Sequence, residues 1–124
     1  MEERPVVDFD TLHATLGGDR EMIRLILRQL RETLRIRRDE LHRAVAGGDP
    51  REVHAVSHPL KGALAGVAAE EARHYIERVD DAARGDDMDG ARAAYEQAGA
   101  ALQRLEDALA EYADDSGTGE ATDR

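Results

Sequence analysis

The stretch DPREVHAVSHPLKGALAGV, residues 49–67, carries two signals that pull against each other. It opens as a helix start, with Asp49 as N-cap, Pro50 in the first helical position and Glu52 three residues after the cap. Val53, Val56, Leu60, Leu64 and Val67 then recur at steps of three and four, the spacing of one buried helical face. Pro59 interrupts this run. A proline in a helix interior lacks the backbone donor and crowds the carbonyl four residues back, at a cost of ~3 kcal/mol. The apolar phase passes Pro59 unbroken, so the spacing predicts one bent helix over about 50–67. The rival is a break, with His58 as cap and Pro59 in the first position of a new helix.

Four further helices follow from the same reasoning. Asp8 is the N-cap of a short helix over about 8–16, with Phe9, Leu12 and Leu16 on one side. Gly17-Gly18 stops it, and Asp19 caps a long helix over about 20–46. The stripe of that helix is Ile23, Ile26, Leu27, Leu30, Leu34, Leu41 and Val45; it lapses near Arg37 and Arg38, and Gly47-Gly48 ends it. A helix over about 69–84 buries Ala72, Ile76, Val79 and Ala83 and stops at Gly85. Asp86 or Asp87 caps the last, over about 88–113, in which Met88, Ala91, Tyr95, Ala98, Leu102, Leu105, Leu109 and Tyr112 repeat regularly. Long amphipathic helices joined by short glycine-aspartate turns predict an all-α fold. The expected form is an antiparallel four-helix bundle with a short additional N-terminal helix, spanning 6–113. The tail, 114–124, is small, polar and acidic, and is expected to be disordered because it buries too little apolar surface to offset its ordering entropy.

Composition narrows the function. Aromatic residues are only 3% of the chain, so the core must be aliphatic, which suits helices better than a sandwich or barrel. A formal net charge of -10 argues against nucleic acid or an anionic membrane as partner. With no cysteine there is no disulfide framework and no thiolate metal site. No apolar run reaches the ~18 residues of a membrane span, and MEERPVVDF lacks the apolar core of a signal peptide, so a cytoplasmic location is expected. There is no GxxxxGK[ST] loop and no Gly-rich kinase loop.

The chemistry centres on His58. On a helical wheel it lies roughly 150° from the apolar stripe, on the outer side with Arg51, Ala55, Gly62 and Ala65. His54 and Lys61 flank it within a turn. A glycine inside a helix costs about 1 kcal/mol relative to alanine, and its use is close approach of another surface. Neutral imidazole is a competent nucleophile, and Lys61 can meet a phosphoryl group as a point charge. An exposed imidazole, a nearby ammonium and a bare patch are what a phosphoryl relay needs; the phosphate can arrive on a partner.

These residues resemble the histidine-containing phosphotransfer (HPt) domains of bacterial two-component phosphorelays. The family stretch A-H-x-L-K-G reads here Ser57-His58-Pro59-Leu60-Lys61-Gly62. Ala68-Ala69 replaces the usual Gly-Ala, and Ala72, Ile76, Val79 and Asp80 fall where the family's L-x-x-x-C-x-x-L-E has its L, C, L and E. The resemblance covers about 8–112, including the opening Leu16-Gly17-Gly18-Asp19 and the Gly48-Asp49 before the active helix. It implies that His58 is phosphorylated by a receiver-domain aspartyl phosphate or by a histidine kinase and passes the group on. It implies that Lys61 steadies the phosphoryl group, and that Gly62 leaves room for it. Arg51, His54, Ala55 and Ala65 would line the receiver-docking surface. Magnesium would come with the receiver's acidic pocket, and the chain would be a monomeric phosphocarrier with no cofactor of its own. Pro59 departs from the family's usual Thr, Ser or basic residue.

Blander readings stand beside these. His13, His42 and His74 have no comparable setting and read as part-core or surface residues. His54 and His58, four apart, have a spacing that can clip a metal, but HAVSH lacks the Glu of HExxH and shows no third ligand, so no metal site is expected. The arginines of the second helix, Arg24 to Arg43, read as a solvated face; the functional alternative is a complement to an acidic receiver, through Arg35 and Arg38. Two other functions compete with the carrier: a degenerate helical module that binds receivers or kinases without transfer, and a dimer using the last helix as its seam.

Overall fold

The computed structural model describes residues 4–122, and every regular element among them is helical. The order is α1 (Phe9–Thr15), α2 (Arg20–Gly47), α3 (Pro50–Gly66), α4 (Glu70–Arg84) and α5 (Met88–Thr122). In the bundle α3 lies between α2 and α4, and α5 closes the ring against α4 and α2, while α1 packs at the edge of α2.

The turns work as the sequence indicates. Asp8, Asp19 and Asp49 each accept a hydrogen bond from a first-turn backbone N–H of the helix they precede. Gly48 ends α2 in the left-handed region, at φ 76°, where a side chain would be strained. Asp87 rather than Asp86 caps α5: its carboxylate takes the Gly90 N–H, while Asp86 itself has φ 60°. The start of α4 is different, because Ala69 has no capping side chain. The Glu71 N–H is met instead by the Pro5 carbonyl at 3.0 Å, and Asp8 N–H donates to the Ala68 carbonyl at 2.9 Å. The N-terminal segment thus acts as the missing cap, and it ties itself to the α3–α4 turn.

Helix α3 runs through Pro59 as one element, so the rival break at His58 does not occur. Pro59 lies on the exposed side, where the Ala55 carbonyl it leaves unbonded is also on an exposed residue. The core is aliphatic as expected, with Ile23, Leu34, Leu41, Leu60, Leu64, Ile76 and Leu102 almost fully enclosed. Ile26 and Val56 are corrections: both only border the core. Met88, Tyr95 and Tyr112 are also partly buried, while Ala94 and Ala101 are buried although the expected stripe omits them. The small face of α5 lets α4 and α2 approach closely, so its seam turns to both neighbours at once. Phe9 stacks on Tyr112 with centroids 5.3 Å apart and fastens α1 to α5.

The lapse in the α2 stripe also has a structural reason. Arg38 reaches across to α5, where it pairs with Glu106 and lies 3.4 Å from Gln103 Oε1. Arg37 bonds Glu40 and Arg43 bonds Asp39 along the helix.

Helix α5 is drawn to Thr122, past the expected bundle boundary at 113, and residues 123–124 lie outside the described residues.

Because Pro59 interrupts the hydrogen-bond ladder in mid-helix, Pro59→Thr is expected to raise the melting temperature. The gain is bounded by the ~3 kcal/mol cost of an interior proline. A lowered melting temperature by calorimetry would show that the surrounding packing requires the ring.

Candidate functional site

The exposed face of α3 has the predicted make-up. Arg51, Ala55, His58, Gly62 and Ala65 are exposed, and His54 and Lys61 are half-buried on its flank. The His58 side chain is 60% exposed, enough for a partner to reach it. A Cβ built on Gly62 meets nothing within 4 Å, so no internal packing demands glycine there.

What the sequence reading did not identify is the group beneath this face. Asp80 of α4 is fully buried, with its carboxylate turned toward α3. His54 donates from Nδ1 to Oδ1 at 2.6 Å, and Ser57, itself fully buried, donates its hydroxyl to the same oxygen at 3.2 Å. Lys61 Nζ lies 3.5 Å from Oδ2. His58 Nδ1 faces that same Oδ2 at 3.6 Å, an electrostatic contact longer than a hydrogen bond. Residues 54, 57, 58 and 61 are spaced at three and four along α3, so about two turns of helix deliver all four side chains to one carboxylate.

Burial pushes the Asp80 carboxyl up, but the His54 hydrogen bond and charge, the Ser57 hydroxyl and the Lys61 ammonium outweigh it. The net effect holds the group below the usual carboxylate value. Asp80 is therefore ionised at neutral pH. An anion beneath the ring favours the tautomer with the proton on His58 Nδ1, which leaves the Nε2 lone pair on the far side of the imidazole.

The other histidines are apart from this cluster. His42 lies 3.2 Å from the Tyr95 hydroxyl, and His74 is edge-on to Tyr75. Lys61 is drawn inward to Asp80 and reaches Oδ2 beside the His58 ring. Asp80 was legible only in part. Asp80 continues the buried series Ala72, Ile76, Val79 and Ala83, and an acid on an apolar stripe marks a buried charge in need of partners.

The chain is thus an all-helical bundle that presents a solvent-facing histidine over a buried acid. The Hpt domain family matches residues 25–115, and the chain belongs to that family, the histidine phosphotransfer domains of phosphorelay signalling. Among solved structures it is similar to histidine-containing phosphotransfer protein B (HptB) from Pseudomonas aeruginosa PAO1. The two superpose with a TM-score of 0.81 at 19% identity over 90% of this chain and 97% of that one. At that identity the likeness concerns the fold. No curated protein matches the sequence.

The depressed Asp80 carboxyl fixes the sign of a pH effect. Its contribution to stability is fully present above the unfolded value of about 3.9, and is lost as pH falls through the lower folded value. Asp80→Asn is therefore expected to cost on the order of 3 kcal/mol at pH 7, the effect of breaking a buried charge network. Denaturant titrations at stepped pH should show the gap between variant and wild type shrinking below pH about 4. A gap that does not change with pH would mean that the ionised carboxylate is not the source.

Proposed function

We propose that the chain is a phosphocarrier in which His58 accepts a phosphoryl group from the aspartyl phosphate of a receiver domain and returns it to another. The observation that carries this reading is the His58 ring, exposed on its outer side and backed by the ionised Asp80 within 3.6 Å. The Nε2 lone pair forms the N–P bond while the P–O bond to the receiver's carboxylate breaks, and that carboxylate leaves with the electron pair. The His58 Nδ1 proton stays on the ring. The ring gains positive charge as the bond forms, and Asp80 offsets it across a short distance in a partly buried setting. Lys61, half-buried on a flexible stem, swings from Oδ2 to the incoming phosphoryl oxygens. Magnesium would enter with the receiver's acidic pocket.

Arg51, His54, Ala55 and Ala65 surround His58 and form the surface on which a receiver or a histidine kinase would dock. Arg38 is held by Glu106 of α5, which favours the bundle over the docking surface as its role and leaves Arg35 as the better probe of salt-dependent binding. The carrier is read as a cytoplasmic monomer without kinase activity of its own; no helix among the described residues is long and apolar enough to cross a membrane. The degenerate-module reading rests on Pro59, which departs from the family's usual residue beside His58, and the labelling experiment below separates it from the carrier. The dimer-seam reading needs a free apolar face on α5, yet Ala98, Leu102, Leu105 and Leu109 are buried within the chain's own core.

Incubation with a phosphorylated receiver is expected to place acid-labile phosphate on wild-type chain and none on His58→Gln. Stable receiver binding without label would instead support a binding module. Gly62→Ala separates docking from folding. Its methyl meets nothing within the chain, and alanine is about 1 kcal/mol better than glycine in a helix, so stability should hold or rise while transfer slows. Unchanged transfer in Gly62→Ala would remove close approach as the reason for the glycine.

A further inference from the structure

We propose that His54, His58 and Asp80 form a binding site for one borderline divalent transition-metal ion of the zinc class, and that its occupancy masks the His58 nucleophile. The sequence supplies two imidazoles at helical spacing; the α3–α4 packing adds the third donor that the sequence does not show. The His54 and His58 rings have centroids 5.2 Å apart. Both present Nδ1 to the same carboxylate, at 2.6 Å and 3.6 Å. One ligand atom from each of the three residues lies within 4.8 Å of the others. A tetrahedral zinc ion with bonds of about 2.0–2.2 Å keeps its donors roughly 3.3–3.5 Å apart. Modest rotation of two rings that are both open to solvent on one side closes that difference. Two imidazoles and one carboxylate with an open fourth position suit zinc, whereas magnesium asks for an octahedral oxygen shell. Ser57, hydrogen-bonded to Oδ1, already holds the carboxylate from behind.

Lys61 is the built-in opponent, since its ammonium lies 3.5 Å from Oδ2 and must swing away for a dication to enter. A neutral imidazole has one lone pair. When Nδ1 binds the metal, the ring proton moves to Nε2, and no lone pair remains there to attack phosphorus. No bond to carbon changes and nothing is oxidised or reduced. The masking rests on His58 being the phosphoryl acceptor; the metal site itself does not.

Calorimetric titration of the full chain with zinc chloride, in a non-coordinating buffer, tests the site without any phosphotransfer readout. One ion per chain is expected. His54→Gln and Asp80→Asn should each weaken binding roughly tenfold or more, at least the cost of losing an outer-shell partner. Lys61→Met should tighten it, because a competing cation is gone. Zinc should also protect His58 from diethyl pyrocarbonate, read by mass spectrometry. The proposal is overturned if zinc does not bind, if a folded Asp80→Asn binds as tightly as wild type, or if His58 is modified equally with and without zinc. Should Asp80→Asn fail to fold, His54→Gln and Lys61→Met decide: an unchanged affinity in both overturns the site.

Discussion

A buried carboxylate that must stay ionised is the constraint on which the rest of this structure depends. Asp80 has no access to water, and an isolated charge in that position would cost several kcal/mol. The fold meets the cost by aligning α3 so that His54, Ser57 and Lys61 all turn toward it, with His58 at the outer edge. Sliding α3 by one residue against α4 would turn those side chains away and strand the charge. The interaction that fixes the register of two helices therefore also fixes the orientation of the exposed imidazole. The stability of the bundle and the placement of the exposed imidazole share one carboxylate.

Much of the fold was legible because local signals agreed with one another. Glycine stops followed by aspartate caps marked the ends of α1, α2 and α4, and an unbroken apolar phase carried α3 past Pro59. Where the reading slipped, nonlocal packing was responsible. Ile26 and Val56 have the right spacing but lie at the margin of the interface. Ala94 and Ala101 are buried because α5 faces two helices rather than one. Arg37 and Arg38 break the stripe of α2, and nothing in the sequence says that Arg38 crosses to Glu106.

The site divides in the same way. The exposure of His58, the flanking positions of His54 and Lys61, and the bare patch at Ala55, Gly62 and Ala65 follow from the geometry of a single helix. The meeting of His54, Ser57, His58 and Lys61 on Asp80 does not, because it joins residues 19 to 26 positions apart on two helices. The sequence placed Asp80 in the family pattern, but its role became visible only with the carboxylate seen beneath the ring. Ser57 gave no signal at all, since a serine on a helix is ordinarily read as solvent-facing.

The central claim is that Asp80 holds the proton of His58 on Nδ1 and leaves Nε2 free for phosphorus. Long-range nitrogen–proton correlation spectra of the histidine rings report the tautomer directly. The account predicts that neutral His58 is mainly the Nδ1–H form in the wild-type chain and shifts toward Nε2–H in Asp80→Asn. A His58 ring protonated mainly on Nε2 in the wild type would contradict it.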